Sequence, residues 1–323
     1  MTLLESAGIE TLSLQRVRPR TIGSSDLRVF PVAISGNVFG WTTNATETDD
    51  ILDTFWAQGG NFIDTADSYA GGRSEIMIGN WMRDRGNRSD VVVATKIGKS
   101  ADHPGLTARA ITRSVEASLE RLRTSYIDLL YLHIDDETVP FEETLLAVDE
   151  LILAGKVRYF GGSDHTPNRF IEARIASAMV GVAPMVAIQN QYNLLQRREF
   201  ENGLAQIAAR QNLGVMPRFA LASGFLTGKY RSRADLAKNP RGREAARYLN
   251  RSGLRVLAVL DSVAAAHGVE PATIALAWLL SKPFVVAPVV SASRVDQVAA
   301  LTAAASIQLS RTQVTELDRV SGR

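Results

Sequence analysis

The sequence contains no cysteine, which excludes disulfide bonds, thiolate zinc sites and cysteine nucleophiles. It has no run of about 18 uninterrupted apolar residues, so no membrane-spanning helix is expected. Residues 1–10 contain glutamate but no lysine or arginine, which is unlike a secretory signal, and together these features favour a reducing, cytoplasmic location. A net charge of +2 over 323 residues is too small to indicate a nucleic-acid partner.

The sequence does contain a repeating pattern of short β-branched runs, most of which begin about 30 residues apart. The predicted strands are Val32–Ile34, Phe62–Asp64, Val91–Lys96, Ile127–His133, Val157–Ser163, Ala187–Gln191, Val215–Arg218 and Val285–Val290. Apolar residues with helical spacing lie between most of them. The predicted helices are Thr48–Gln58, Ser74–Asp84, Leu106–Leu122, Phe141–Ala154, Pro167–Val180 and Phe200–Arg210. Eight units of this kind in one chain predict a closed (β/α)8 barrel.

The competing architecture is a doubly wound open sheet, which usually carries a glycine fingerprint after its first strand. The segment from Ile34 to Gly40 lacks that fingerprint. The predicted fold is therefore an α/β (β/α)8 TIM barrel, formed by residues 1–323 as a single domain. Residues 15–30 predict a β-hairpin that plugs the barrel floor, and helices near Arg255–His267 and Pro271–Ser281 are additions near the C-terminus.

Polar side chains at the carboxyl ends of the strands face the site of such a barrel. Asp64, Lys96 and His133 stand at three of these ends, and Tyr69 follows shortly after Asp64. A phenol has an ordinary pKa of about 10, and a neighbouring ammonium lowers that pKa by favouring the phenolate. Taken singly, each residue is as well explained by packing or solvation. If they converge, the set suits protonation of an oxygen during reduction of a carbonyl by hydride.

Six motifs in chain order resemble those of the aldo-keto reductases, and the similarity covers nearly the whole chain. The motifs are Gly60–Tyr69, Val93–Lys96, Asp128–His133, Gly161–Asp164, Gln189–Leu195 and Leu221–Tyr230. The first is similar to the Asp-Thr-Ala-x-x-Tyr motif of that family. The resemblance implies a reductase of aldehydes or ketones that acts on a small-molecule carbonyl substrate and uses NADPH in preference to NADH.

The resemblance also implies roles for individual residues. Tyr69 would be the general acid, and Lys96 would lower its pKa. Asp64 would hold Lys96, and His133 would orient or polarise the carbonyl. Substrate contacts are expected from Phe39, Trp41, His133 and the stretch 134–138.

Cofactor binding is implied for a second group of residues, with segment 221–255 covering the cofactor. The group is Ser163, Asp164, Gln189, Arg218, Leu221, Ser223, Gly224, Leu226, Ser291, Ser293, Arg294 and Gln297. Two of them depart from the family pattern, because Asp164 stands where the family has asparagine and Arg218 where it usually has an aromatic residue. A guanidinium plane can also stack on a ring and adds a positive charge, which favours an anionic or hydroxyl-rich substrate.

Two other functions are compatible with parts of the sequence. One is a nucleotide-binding regulatory subunit without turnover, and the other is a different barrel enzyme such as a phosphate-sugar isomerase. The intact set of Asp64, Tyr69, Lys96 and His133 favours the reductase. The remaining histidines have no partner at metal-ligand spacing, so we expect no metal, and neither nucleic acid nor a membrane is expected as a partner.

Overall fold

The computed structural model describes residues 17–322, and eight of its strands form one parallel sheet. Strands β1 (Arg20–Thr21) and β2 (Arg28–Val29) precede it as an antiparallel hairpin. The sheet strands are β3 (Ala33–Ser35), β4 (Phe62–Asp64), β5 (Val92–Ile97), β6 (Ile127–Leu132), β7 (Val157–Ser163), β8 (Ala187–Gln189), β9 (Gly214–Val215) and β10 (Val289–Val290). All eight lie at or overlap predicted strand positions.

The parallel sheet closes on itself. Its strand order is β10-β3-β4-β5-β6-β7-β8-β9, and the segment before β10 returns to β9. There Val215 pairs in parallel with Val285, and the N–H of Val286 donates to the carbonyl of Val215 at 2.8 Å. Closure confirms the predicted α/β (β/α)8 barrel.

Helices cover the outside of the barrel. They are α1 (Ala45–Ala57), α2 (Arg73–Arg85), α3 (Ala108–Leu122), α4 (Phe141–Leu153), α5 (Pro167–Val180), α6 (Ala205–Gln211), α7 (Arg233–Leu236), α8 (Gly242–Ala245), α9 (Arg251–His267), α10 (Pro271–Leu280), α11 (Val298–Thr302) and α12 (Arg311–Ser321). The predicted helix over Phe200–Arg210 is divided, because Phe200–Leu204 forms a π-helical turn before α6 begins. Short helices α7 and α8 interrupt the polar segment that follows β9.

Side chains of the sheet alternate between two cores. Phe62, Ala94, Leu129, Tyr131 and Met216 belong to a cluster enclosed by the strands. On each strand, the apolar residues that alternate with these belong to the larger core under the helices. Since side chains two residues apart on a strand share a face, the enclosed cluster identifies which strand-end residues point into the barrel.

The hairpin β1–β2 covers the amino ends of the strands, where the sequence predicted a floor. Ile22, Leu27 and Val29 are buried in the enclosed cluster. The Arg20 guanidinium donates to the carbonyls of Val285 (2.7 Å) and Leu280 (3.0 Å), which fastens the hairpin to the closing segment. Residues 15 and 16 of the predicted hairpin lie outside the described residues.

Two helices near the C-terminus are additions to the eight-fold pattern, and both occur where the sequence predicted them. Within residues 17–322 no single helix is long and apolar enough to cross a membrane. Only α9 and α10 taken together reach that length and composition, and they are bent by 94° at the break between them.

Candidate active site

Three strands carry the reactive side chains into the mouth of the barrel. Phe62 on β4, Ala94 on β5 and Tyr131 on β6 face the interior. Two residues further on stand Asp64 on β4, Lys96 on β5 and His133 directly after β6, which therefore point the same way. The carboxyl ends of neighbouring parallel strands lie side by side, so residues far apart in sequence meet at this end.

Lys96 is the centre of a buried network. Its ammonium donates to Asp64 Oδ1 at 2.6 Å and to the carbonyl of Thr65 at 2.7 Å. The Gln189 amide donates to the second carboxylate oxygen of Asp64 at 2.7 Å. Lys96 and Asp64 are both about 1% exposed. Neither charge can be removed alone without leaving its partner buried and uncompensated, so the network holds Lys96 in one position.

Tyr69 reaches this network from the loop after β4. The backbone has left-handed φ angles at Ala70, Gly71 and Gly72, which turn the chain back toward α2 directly after Tyr69. The phenol ring lies with its centroid 5.0 Å from Lys96 Nζ and 6.1 Å from the His133 ring, edge to face. Tyr69, Lys96, Asp64 and His133 therefore meet as the sequence predicted.

The pKa of Tyr69 is shifted by two opposing effects, of which the sequence indicated only one. Burial raises the pKa of the Tyr69 phenol, and the Lys96 ammonium opposes this rise without reversing it. Lys96 thus acts on the pKa of Tyr69 in the expected direction, but the net shift is upward, because desolvation of the phenolate outweighs the nearby charge. Burial alone would lower the pKa of Lys96, but Asp64 and Tyr69 raise it above its ordinary value. Tyr69 is thus a neutral phenol beside an ammonium.

His133 is neutral as well. Burial, reinforced by the charges of Lys96, Lys99 and Arg218, lowers its pKa to about 2. A neutral imidazole donates through one ring nitrogen and accepts through the other. At neutral pH His133 can therefore offer a hydrogen bond but does not carry a charge.

A cavity of about 900 Å³ opens above these side chains. Tyr69 and His133 line it, while Asp64 and Lys96 lie beneath its wall. The other predicted site residues in its wall are Trp41, Asp164, Gln189, Arg218, Leu221, Ser223, Gly224, Ser291, Ser293, Arg294 and Gln297. The shape is suited to a long ligand, since the wall runs from the strand ends to the turn after β10.

Besides Asp64 and Lys96, three individually predicted site residues do not line this cavity, and no residue of the predicted stretch 134–138 lines it. Phe39, expected to contact substrate, is fully buried in the larger core, because the turn Gly36–Val38 directs its ring inward against the position of Gly36. Leu226 is also a core residue. Ser163 is buried, and its hydroxyl donates to the carbonyl of Gln189 at 3.0 Å.

Asp164 and Arg218, which both depart from the family pattern, form an ion pair with each other. Arg218 Nε donates to Asp164 Oδ1 at 2.8 Å, and Nη2 of the same guanidinium forms an ion pair with that oxygen at 2.6 Å. Asp164 has a left-handed φ of 61°, and its N–H donates to the Asn190 amide oxygen at 3.1 Å. Arg218 Cζ lies 4.8 Å from the Phe219 ring centroid. The loops after β7 and β9 are thereby joined by an ion pair at the cavity wall.

The turn after β9 lies at the cavity wall, and the amides of Ala222 and Gly224 donate to carbonyls within the turn. Phe219, Ala222, Ser223 and Gly224 all have left-handed φ angles, and such turns form concave sites where amides converge on an anion. The Ser223 hydroxyl is buried and has no hydrogen-bond partner within the described residues. An unpaired buried donor in an amide-lined turn fits a phosphate oxygen, so this part of the chain could hold the pyrophosphate of a dinucleotide.

The turn after β10 forms the far end of the cavity. The N–H of Ser293 donates to the Gln297 amide oxygen at 2.9 Å. Arg294 pairs with Asp296 at 2.9 Å, and both side chains are about two-thirds exposed. The guanidinium is accessible to an anion that can compete with Asp296.

Lys99 is a cavity residue that the sequence argument missed. It stands three positions after Lys96, on the loop that follows β5, and its Nζ lies 3.8 Å from Asp164 Oδ2. A second lysine just beyond a catalytic strand end is the signal that identifies it. No group of three or more histidine, aspartate or glutamate side chains in residues 17–322 is placed to hold a metal ion.

Comparison with known proteins agrees with this geometry. The sequence model of the Aldo/keto reductase family matches residues 34–321. Norsolorinic acid reductase B of Aspergillus parasiticus is 32% identical over 91% of this chain and 81% of its own length. An aryl-alcohol dehydrogenase of Pestalotiopsis microspora is 31% identical over 92% of this chain and 80% of its own. A probable voltage-gated potassium channel subunit beta of Oryza sativa subsp. japonica is 35% identical over 86% and 88%.

The match to this family and the reductase and dehydrogenase names of the relatives identify the α/β barrel as an oxidoreductase. The chain belongs to the Aldo/keto reductase family. The reductase and dehydrogenase names among its relatives support carbonyl reduction as the general activity.

Proposed function

We propose that this protein reduces an aldehyde or ketone to an alcohol with NADPH, and that Tyr69 is the general acid. The observation that carries the proposal is the contact of a neutral phenol with a buried ammonium. Lys96 Nζ lies 5.0 Å from the ring centroid of Tyr69 and 2.6 Å from Asp64 Oδ1. That arrangement supplies a proton and stabilises the anion that its loss creates.

The proton comes from the Tyr69 hydroxyl and goes to the substrate oxygen. Because burial raises the pKa of Tyr69, the hydroxyl is protonated at neutral pH and ready to donate. A bound reduced nicotinamide supplies the hydride to the carbonyl carbon. The phenolate left on Tyr69 lies beside the Lys96 ammonium, which stabilises it until a proton from solvent restores the phenol.

His133 positions the substrate oxygen in this proposal. Its pKa of about 2 keeps it neutral, so it donates one hydrogen bond and leaves proton transfer to Tyr69. Asp64 holds the Lys96 ammonium in place from below. His133 and Tyr69 would contact the reacting oxygen, whereas Asp64 acts through Lys96.

The cofactor would extend along the cavity from β8 to the turn after β10. Gln189 has already donated its amide N–H to Asp64, so its amide oxygen remains to accept from a carboxamide. Ser223 and the amides of its turn would receive the pyrophosphate, and Arg294 the 2′-phosphate. Asp164 and Arg218 satisfy each other, so we assign neither of them to the carboxamide.

The name of the aryl-alcohol dehydrogenase suggests aromatic aldehydes as the first substrates to test. With NADPH and benzaldehyde, we expect oxidation of NADPH that depends on the protein. Tyr69→Phe should lower kcat by roughly 10²- to 10⁴-fold, the usual contribution of a general acid, while the Kd for NADPH changes less than about twofold. Absorbance and fluorescence of the reduced nicotinamide measure both quantities.

Tyr131→Phe is the matched control. Tyr131 is fully buried in the barrel below the site, so the same hydroxyl is removed from a residue outside the cavity wall. We expect its kcat to stay within about threefold of wild type. Turnover retained by Tyr69→Phe would contradict the assignment of the acid. Binding of NADPH without reduction of any aldehyde or ketone would favour a regulatory subunit over an enzyme.

A further inference from the structure

Two cations, Lys99 and Arg218, and one carboxylate, Asp164, line the reacting end of the cavity. Lys99 and Arg218 share a single carboxylate, that of Asp164. Arg218 donates one hydrogen bond of 2.8 Å to one oxygen of this carboxylate, and its Nη2 lies 2.6 Å from the same oxygen. Lys99 remains 3.8 Å from the other oxygen and makes no hydrogen bond within the described part of the chain. Its three N–H donors therefore have no hydrogen-bond acceptor within residues 17–322, and its side chain is 40% exposed.

This charge is close to the groups that would perform the reaction. Lys99, Arg218, Tyr69 and His133 all line the same cavity. The charges of Lys99 and Arg218 contribute to the lowered pKa of His133, which places both near the imidazole. Burial lowers the pKa of Lys99, the carboxylates of Asp164 and, more weakly, Asp67 oppose this, and Arg218 and Lys96 lower it further. An anion beside Lys99 would relieve that repulsion.

The cations at the other end of the cavity form a separate group. Burial lowers the pKa of Lys229, and the charges that add to this effect are those of Arg241 and Arg294. Neither Lys99 nor Arg218 acts on Lys229. The phosphates of a dinucleotide would be met by this distant group, so they do not account for the charge next to His133.

We propose that Lys99 binds a carboxylate of the substrate, and that the protein prefers carbonyl compounds that carry one. Asp164 and Phe219 hold the Arg218 guanidinium beside Lys99, so that the two cations form one anion-binding wall. The proposal rests on the proposed reductase function, because it assigns the carboxylate to the substrate of that reaction. A carboxylate at this place accepts charge-assisted hydrogen bonds from Lys99 in a partly desolvated setting, where they are strongest.

Two aldehydes of matched shape test it. We expect kcat/KM with NADPH to be higher for 4-carboxybenzaldehyde than for its neutral methyl ester, methyl 4-formylbenzoate. Lys99→Met should lower the ratio of the two kcat/KM values by about tenfold or more, mainly through the KM of the charged aldehyde. Lys99→Arg should keep the ratio within about threefold, because the charge is retained.

Lys229→Met is the control, since it removes the same charge from the other end of the cavity. Its ratio should equal that of wild type. If Lys229→Met lowers the ratio as much as Lys99→Met, only the overall charge of the cavity matters, and the assignment to Lys99 is overturned.

A binding measurement separates this proposal from the proposed reaction. Calorimetric titration of the NADP⁺ complex with 4-(hydroxymethyl)benzoate should show a Kd at least about tenfold weaker in Lys99→Met. If Lys99→Met changes neither the Kd for 4-(hydroxymethyl)benzoate nor the ratio of the two kcat/KM values, the proposal is wrong. If Lys99→Met instead weakens NADPH binding and leaves the ratio of the two kcat/KM values unchanged, Lys99 binds the cofactor, and the proposal is also wrong. If wild type reduces neither aldehyde, the reductase proposal fails, and the titration still decides whether Lys99 binds carboxylate.

Discussion

Single side chains at this site show how strongly burial modifies chemistry that the sequence already indicates. Alternation along β4, β5 and β6 is enough to predict that Asp64, Lys96 and His133 face the same interior. The pKa of Tyr69 is a different matter. An ammonium beside a phenol lowers its pKa in water, but here desolvation has the larger effect and the net shift is upward. The extent of desolvation depends on every loop that covers the ring.

Asp67 is a second buried acid, two residues before Tyr69, and it gives a prediction about stability. Both of its carboxylate oxygens are buried without a hydrogen-bond partner in residues 17–322. Burial, followed by repulsion from the Glu75 carboxylate, raises its pKa from 3.8 to about 6. The folded state therefore disfavours the ionised form. The resulting cost is absent below about pH 3.8 and fully present above about pH 6.

We expect Asp67→Asn to increase the free energy of unfolding at pH 8 by up to about 3 kcal/mol, and by roughly a third of that at pH 4.5. Urea denaturation at the two pH values measures the difference. Asp50→Asn, at an exposed position on α1, controls for the change in net charge. An increase that is the same at both pH values would show that ionisation of Asp67 is not its cause.

At the scale of elements, strand periodicity does not predict the structure of the connection that follows β9. The segment 221–255, expected as one polar loop that covers a cofactor, contains helices α7 and α8 and the start of α9. Arg231 is fastened to Asp261 of α9 by two hydrogen bonds of 2.7 Å, so its charge is directed away from the cavity. Of the seven basic residues from Lys229 to Arg247, only Lys229 and Arg241 line the cavity.

The turn after β10 carries the prediction for cofactor preference. We expect Arg294→Ala to weaken NADPH binding by about tenfold or more and NADH binding by less than about twofold, because only NADPH has a 2′-phosphate to pair with the guanidinium. Fluorescence titration with each reduced nicotinamide measures the two Kd values. Arg243→Ala, which removes an exposed arginine outside the cavity wall, should alter neither. Equal losses for both nucleotides would mean that Arg294 does not sense the 2′-phosphate.

At the scale of the whole molecule, the hairpin β1–β2 packs closely against the amino ends of the barrel strands. Gly23 lies between the hairpin and the amino ends of β8 and β9, with a φ of +51°. A Cβ at this position would stand 2.2 Å from the carbonyl oxygen of Val186 and 2.7 Å from that of Asn212. Only glycine permits both this backbone angle and this approach.

Gly23→Ala should therefore lower the free energy of unfolding by roughly 2–5 kcal/mol, the sum of the strain and the clash with backbone atoms. Gly155→Ala is the matched control, because Gly155 also has a positive φ (+70°) but its Cβ would meet nothing within 4 Å. We expect that change to cost only about 1 kcal/mol. Chemical denaturation of both variants measures the difference, and equal losses would show that the contact with β8 and β9 is unimportant.

The sequence by itself determined the barrel, its order of strands and helices, and the convergence of Tyr69, Lys96, Asp64 and His133. The barrel and the shared direction of Asp64, Lys96 and His133 follow from local periodicity, because strand alternation and parallel pairing bring the carboxyl ends together. The approach of Tyr69 depends in addition on the left-handed turn that follows it. The tertiary structure decided the pairing of Asp164 with Arg218, the position of Lys99 beside that pair, the burial of Phe39 and the net shift of the Tyr69 pKa. These depend on distances between loops from different repeats and on how much water the loops exclude, and neither quantity is written in any one stretch of the chain.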